Sequence, residues 1–508
     1  MGTKRRAMPY CRRRLHGPAV ARAGMRSPST VICGGGAWPS SVPWPQPVTT
    51  STSATGAIAR RRTDPSDRPH GRGFEAPAGP AATVPPMATA DPDDASILSA
   101  VAAERDAIVE LLSDLVEAPT LLGDEELGQV VMERGMRDAG LEPEDVPMDA
   151  NALRAHPACA PFSWEVAGKR NVVARWGGGD GRSLLLNGHI DVVSPEPVRF
   201  WRTSPFRATI EDDWMYGRGA GDMKAGLAAM VGAVRGLRWL GLAPTGPVTL
   251  QSVVEEECGG NGALACLLAG HTADAAVVVE PFGAAITVSQ VGVVWFDVRV
   301  AGVPAHAADA AAGNNAIEAM VPVIRALRAL EAELNEVRPP PYDAYPHPIN
   351  LNVGVIEGGD WPSTVAGECR ARFRLALYPG ESVEGLRERI EATVASAADT
   401  DAYLAENPPE VSYDGFACDG YAVAADEPLV TALSETYARQ AEAAPALIAT
   451  TGTTDARTFG LHGGIPSVCF GPYAEGAHGV DERVYLPSVV QTAQVLALFI
   501  RDWCGVTG

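Results

Sequence analysis

Five residues, His189, Asp222, Glu257, Glu280 and His478, have the types and local settings of a hydrolytic site built on two metal ions. Four of them follow apolar runs that read as buried strands. SLLLNGHID (183–191) carries His189, VTLQSVVEEE (248–257) ends in Glu257, and ADAAVVVEP (273–281) carries Glu280. IPSVCFGPYAEGAH (465–478) reaches His478 through a short loop. Open α/β sheets bind ligands beyond the carboxyl ends of their strands. Each feature alone has a plainer reading: a core histidine, a solvated charge run, a turn before proline. Their shared place at comparable strand ends reverses that balance.

Mixed imidazole and carboxylate donors suit zinc, with cobalt or manganese admissible on ligand type. Two ions about 3.5–4 Å apart need a bridging ligand, and a carboxylate can offer one oxygen to each. Asp222 is the natural bridge, because it stands alone in the glycine-rich GRGAGDMK (217–224), where backbone can approach closely. His189 and Glu280 would then hold one ion, Glu257 and His478 the other. Asp191, two residues beyond His189, is placed to orient the His189 imidazole. In the run Glu255-Glu256-Glu257 a turn can bring two neighbouring side chains to one site. Glu256 is then the general base, a role that contributes roughly 10²–10⁴-fold. Of the remaining histidines, only His306 has companions of interest, described below.

These residues need a scaffold, and the pattern supplies one. ILSAVAAERDAIVELLSDLVEA (97–118) and ELGQVVMERGMRDAG (126–140) have helical spacing, the second stopped by Gly140. Strand and helix signals then alternate, which predicts a largely parallel sheet covered on both faces. Asp222 opens a predicted helix over 223–240, where a helix N-terminus suits an anion. Residues 292–415 change character: strand 293–300, helix 315–337, strands 349–356 and 368–377, helix 380–397, strand 409–416. The order β-α-β-β-α-β is a ferredoxin-like α+β unit. Because His478 lies beyond it, the catalytic domain is discontinuous (88–290 and 417–508), with an inserted lid (291–416).

Composition narrows the function classes. The chain of 508 residues carries a net charge of −21, spread unevenly: residues 1–86 hold 13 Lys/Arg against 3 Asp/Glu, and the remainder is strongly acidic. An acidic body disfavours nucleic acid as partner. No apolar run reaches the roughly 18 residues of a membrane span. The nine cysteines include no CxxC and suggest neither a disulfide framework nor a zinc ribbon, which points to a reducing, cytoplasmic setting. Residues 1–87 are Arg-, Pro- and Gly-rich without apolar periodicity. They read as a disordered extension, or as an artefact upstream of a start at Met87.

The motifs GHIDVV (188–193), YGRGAGDMKAG (216–226), VVEEECGGNGA (253–263), VVEPFG (278–283), AGVPAHAADAAAGNNAI (301–317), TGTTDAR (451–457) and FGPYAEGAHGVDE (470–482) together resemble one family. It is the co-catalytic metallopeptidase and deacylase family of acetylornithine deacetylase, succinyl-diaminopimelate desuccinylase, carboxypeptidase G and aminoacylase. The resemblance covers roughly 100–505. It implies an aminopeptidase-like α/β zinc domain with a dimerising lid, and the ligand, base and Asp191 roles above. It further implies that His306 crosses a homodimer interface to help stabilise the oxyanion in the other subunit. Thr454, Asp455 and Arg457 match a substrate-side loop, and Asp481-Glu482 an acidic pair, with Glu482 supporting the site. Departures matter too. Ser363 stands where desuccinylases carry an asparagine, and Ala376 where they carry an arginine, so a carboxylate clamp is missing. GGDWPSTV (358–365) looks more like formylaminopyrimidine deformylases. The resemblance implies removal of an N-acyl group from a small-molecule amino acid or amine. Carboxypeptidase, dipeptidase, desuccinylase-like or deformylase-like action are the alternatives, and a non-catalytic binding homologue is disfavoured by the intact ligand set.

Overall fold

The computed structural model describes residues 93–162 and 164–508; the expectations for residues 1–87 lie outside the described residues. The first sheet takes β1 (Pro143–Pro147), β2 (Arg170–Trp176), β3 (Leu184–His189), β4 (Val248–Val253), β5 (Ala275–Val278) and β6 (Ala285–Gln290). The second takes β7 (Gly292–Ala301), β8 (Leu351–Gly358), β9 (Glu368–Leu377) and β10 (Glu410–Ser412). The chain then returns to the first sheet with β11 (Ala446–Thr450) and β12 (Ser467–Cys469). Four helices matter for the site: α1 (Ala225–Trp239), α2 (Ala316–Leu334), α3 (Val383–Asp399) and α4 (Leu486–Cys504).

The first sheet runs β1-β2-β4-β3-β5-β12-β6, with β11 also paired to β6. Its centre, β4-β3-β5-β12, is parallel. These strands are buried along their whole length, which is why LLLNGH, VTLQSV and AAVV read as near-continuous apolar runs. The register aligns their carboxyl ends: Asn187 and Cys469 both lie opposite Val278, and His189 lies opposite Val253. All four strand exits therefore open on one edge. Helix α1 lies close over the sheet because Gly226 faces the Val279 carbonyl, where a β-carbon would come within 2.0 Å of that oxygen. Helix α4 packs against α1.

The second sheet is antiparallel, in the order β8-β9-β7-β10. Joined through α2 and α3, this is the expected ferredoxin-like arrangement. In β7 the alternation places Val294, Phe296, Val298 and Val300 in a core of their own with α2 and α3, while Trp295 faces outward. The chain leaves the first sheet at Val291. It returns after Cys418, which still pairs with β7, and before Tyr421, which pairs with β6. Strand β8 lies at an edge of this sheet, with Val355 43% and Ile356 52% exposed.

Two local expectations need adjustment. The single helix expected over 97–118 is two, Asp94–Ala103 and Arg105–Glu117, separated where Glu104 leaves helical geometry (φ −85°, ψ 4°). Nothing in the surrounding sequence accounts for that break. Asp222 does not open a helix: its backbone is non-helical (φ −106°, ψ 95°), and α1 begins at Ala225. Among the described residues, no helix is long and apolar enough to cross a membrane.

Candidate metal centre

The strand exits bring the five proposed ligands together. Asp222 lies between the two histidines: Oδ1 is 3.2 Å from His189 Nε2, and Oδ2 is 3.5 Å from His478 Nε2. Each oxygen of this carboxylate thus faces a different imidazole. Glu257 Oε2 lies 2.9 Å from His478 Nε2, and Glu280 Oε1 lies 3.9 Å from His189 Nε2. His189, Asp222 and Glu257 can bring one donor atom each within 4.8 Å of one another, as can His189, Glu256 and Glu280. Glu256 therefore borders the same space as the ligands, its Oε2 4.0 Å from His189 Nε2.

The turn that divides the labour of the glutamates begins at Glu255, whose φ of 71° lies in the left-handed region. A short 3₁₀ segment, Glu256–Cys258, follows. It sends Glu257 toward His478 and Glu256 toward His189. Asp191 holds this turn: its two carboxylate oxygens accept the Glu256 amide at 3.2 Å and the Glu257 amide at 3.1 Å. Sequence reasoning assigned that carboxylate to the His189 ring. Instead His189 Nδ1 lies 2.9 Å from the Asp191 main-chain oxygen, with the carboxylate 3.7 Å away. Asp191 thus meets the His189 ring through its main chain and not through its carboxylate.

The electrostatics describe a site built for cations. Burial raises Glu256 and Glu280 well above the usual carboxylate range; His189 opposes the shift in both, and neighbouring carboxylates add to it. Burial likewise brings Asp191 up to about 7. Burial disfavours the imidazolium of His189, yet the hydrogen bond to Asp222 and the charges of Glu256, Asp191 and Glu280 hold its pKa well above normal. Three carboxylates, those of Asp222, Glu257 and Glu280, converging on two imidazoles are the donor set of a pair of divalent ions, which would offset the repulsion among them and with Glu256. The residues present fit such a pair.

Other expected site residues fall into two groups. Thr454 is buried, and Gln290 Oε1 accepts from both its amide and its hydroxyl at 2.7 Å. Asp455 is fully buried, and among the described residues neither carboxylate oxygen has a hydrogen-bond partner; burial lifts it to about 6 against the pull of Arg457 and His189. Arg457 is 3% exposed and donates to the Thr454 and Gly259 carbonyls at 2.6 and 3.1 Å, with its guanidinium over the Phe416 ring. It ties the 454–457 loop to the turn carrying Glu256. His306 and Ser363 form the second group. Both are exposed; His306 bridges to Thr364, and the Ala307 amide donates to the Ser363 carbonyl. Among the described residues neither belongs to a ligand group of this protomer.

Sequence reasoning passed over three buried polar residues around the site. Gln290 anchors Thr454. Arg218, inside the glycine-rich loop, pairs with Glu482 at 2.6 Å. Lys224 is fully buried, donates to the Ala118 carbonyl at 2.9 Å, and is brought down to about 7 by burial. A charged residue within a glycine-rich stretch beside a candidate ligand was the available signal for Arg218 and Lys224; Gln290 had none.

Comparison with known proteins identifies the family. Residues 185–502 match the model of peptidase family M20/M25/M40. The chain is 32% identical over 347 residues to N-formyl-4-amino-5-aminomethyl-2-methylpyrimidine deformylase of Halalkalibacterium halodurans, covering 64% of this chain and 79% of that protein. It is 28% identical to succinyl-diaminopimelate desuccinylase of Dinoroseobacter shibae, covering 78% of this chain and 98% of that protein. Among solved structures, a dipeptidase from Saccharomyces cerevisiae shares the fold at a TM-score of 0.67 and 14% identity, covering 81% of this chain and 98% of that one.

Proposed function

The chain belongs to peptidase family M20/M25/M40, a family of metal-dependent hydrolases of amide bonds, and from that premise we propose that it removes an N-acyl group from a small amino acid or amine. The observation that carries the reading is Asp222, whose two oxygens face two different imidazoles while Glu257 and Glu280 flank them. His189 and Glu280 would hold one ion, His478 and Glu257 the other, with Asp222 shared. Zinc is the preferred metal, with cobalt or manganese able to replace it. Two such ions would polarise the amide carbonyl and make a water acidic near neutral pH. Glu256 takes the proton of the attacking water and returns it to the leaving amine. His306, contributed by a second copy through the lid, donates to the carbonyl oxygen as it gains charge. The exposed loop carrying His306 and the uncovered β8 edge support this homodimer.

A narrower reading within the same chemistry is a formylaminopyrimidine deformylase. The GGDWPSTV segment, the absence of an arginine at Ala376 and the deformylase relative favour it over a desuccinylase.

The test is hydrolysis of an amide panel with a chelator control. The panel holds N-acetylornithine, other N-acetyl amino acids, succinyl-diaminopimelate, the formylaminopyrimidine and dipeptides. We expect chelator-sensitive release of amine from the N-acyl members. Glu256→Gln should abolish turnover with metal still bound; wild-type turnover in that variant rejects the base assignment.

A further inference from the structure

The loop carrying Asp222 and the loop carrying His478 are far apart in sequence, yet one buried residue binds both. Glu482, four residues after His478, is 1% exposed. Its Oε1 accepts the Gly221 and Asp222 amides, each at 3.0 Å, and its Oε2 accepts the Gly219 amide at 3.0 Å and Arg218 Nη1 at 2.6 Å. Its main-chain oxygen accepts the Gly217 amide at 3.0 Å. Arg218, 2% exposed, returns the connection by donating through Nη2 to the Gly479 carbonyl at 2.9 Å, and more weakly to Ser194 at 3.4 Å. One carboxylate thus collects three amides of the 217–222 loop, those of Gly219, Gly221 and Asp222, and its arginine partner grips the chain one residue beyond His478.

The glycines permit this approach. Gly219 has φ +77°, and a β-carbon on it would come within 2.4 Å of Val192. A β-carbon on Gly221 would meet Ala474 at 2.5 Å and Glu482 Oε1 at 3.4 Å. A buried ion pair is a poor device for stability alone, since well-packed apolar residues often serve as well. It is a good device for fixing a distance, because three backbone donors and a guanidinium leave the carboxylate no alternative placement.

We propose that Glu482, locked by Arg218, is a positioning residue that sets the spacing of Asp222 and His478, and so the affinity of the ion these two share. The proposal rests on the two-ion reading above. Removing the clamp frees Asp222 to turn away from His478 while leaving His189 and Glu280 in their strand-end positions.

The experiment uses full-length protein, stripped and titrated with zinc against a chromophoric chelator, with thermal unfolding of the metal-free protein in parallel. Wild type is expected to bind two ions. Glu482→Gln, which turns one acceptor into a donor facing backbone amides, should weaken the ion held by His478 and Glu257 by about 10–100-fold and the ion held by His189 and Glu280, which also shares Asp222, by distinctly less. Glu482→Asp should lose less. If Glu482→Gln yields no folded protein, Arg218→Lys gives the same readout with the carboxylate retained. Wild-type affinity for both ions in a variant whose metal-free form merely melts earlier overturns the proposal, as does equal weakening of both. A wild-type protein that binds no ion overturns the two-ion reading itself, and the clamp with it.

Discussion

Asp222 and Asp191 show how one residue type does two jobs in the same square nanometre. Asp222 offers its oxygens outward, one to each histidine, while Asp191 turns both of its own to backbone amides and shapes the Glu256–Glu257 turn. Arg457 belongs with Asp191. Both of its terminal nitrogens donate to backbone, at the Thr454 and Gly259 carbonyls, so its removal should disturb the base rather than a substrate anion. Arg457→Ala is expected to lower kcat by about 10²-fold, the cost of misplacing a catalytic group by an ångström. The loss should be the same for neutral and carboxylate-bearing amides, with Arg457→Lys intermediate. Steady-state kinetics on one substrate of each charge will decide, since a rise in KM confined to the anionic one assigns Arg457 to substrate binding.

At the scale of elements, the second sheet depends on a buried glutamate that has no part in the chemistry. Glu331 on α2 accepts the Leu351 amide at 2.8 Å, Arg328 at 2.8 Å and His347 at 3.2 Å, and so fastens the helix to the start of β8. Burial would raise its pKa, but these hydrogen bonds, led by Arg328, hold it below the usual value. A carboxyl lowered on folding stabilises the native state fully above its unfolded pKa of about 4.3, and that contribution fades as pH falls through the lower folded value. Glu331→Gln should therefore cost about 1–3 kcal/mol at neutral pH, with the gap to wild type closing in acid. Urea unfolding at neutral and acid pH measures both. What the sequence reveals divides along the same line. His189, Glu257 and Glu280 are legible because each follows an apolar run whose end can be counted, and β9 was read to the residue. Gln290 is illegible, and so is the role of Arg218, because their partners, Thr454 and Glu482, lie 164 and 264 residues away in chain order. Nor does a sequence say whether Arg457 points into a cleft or into the packing behind it.

The proposed homodimer is tested at the scale of the whole molecule. Among the described residues His306 lies outside both ligand groups, and the proposal has it act in the site of another copy. Mixing inactive His306→Ala with inactive Glu256→Gln protein, under conditions that exchange subunits, should restore activity. Each mixed dimer then has one site with both groups. No recovery, with exchange verified by mass spectrometry, excludes the shared site. In the proposed homodimer the lid sheet would also limit how large the assembly can grow. Its two borders differ: β8 is a long rim with exposed apolar side chains, whereas β10 spans only three residues. A rim that pairs with its own copy about a two-fold axis is consumed on both sides at once. If two β8 rims paired in the proposed homodimer, what stayed exposed would be a pair of stubs too short to template another chain, so the strand addition that could seed a fibre would end instead at two.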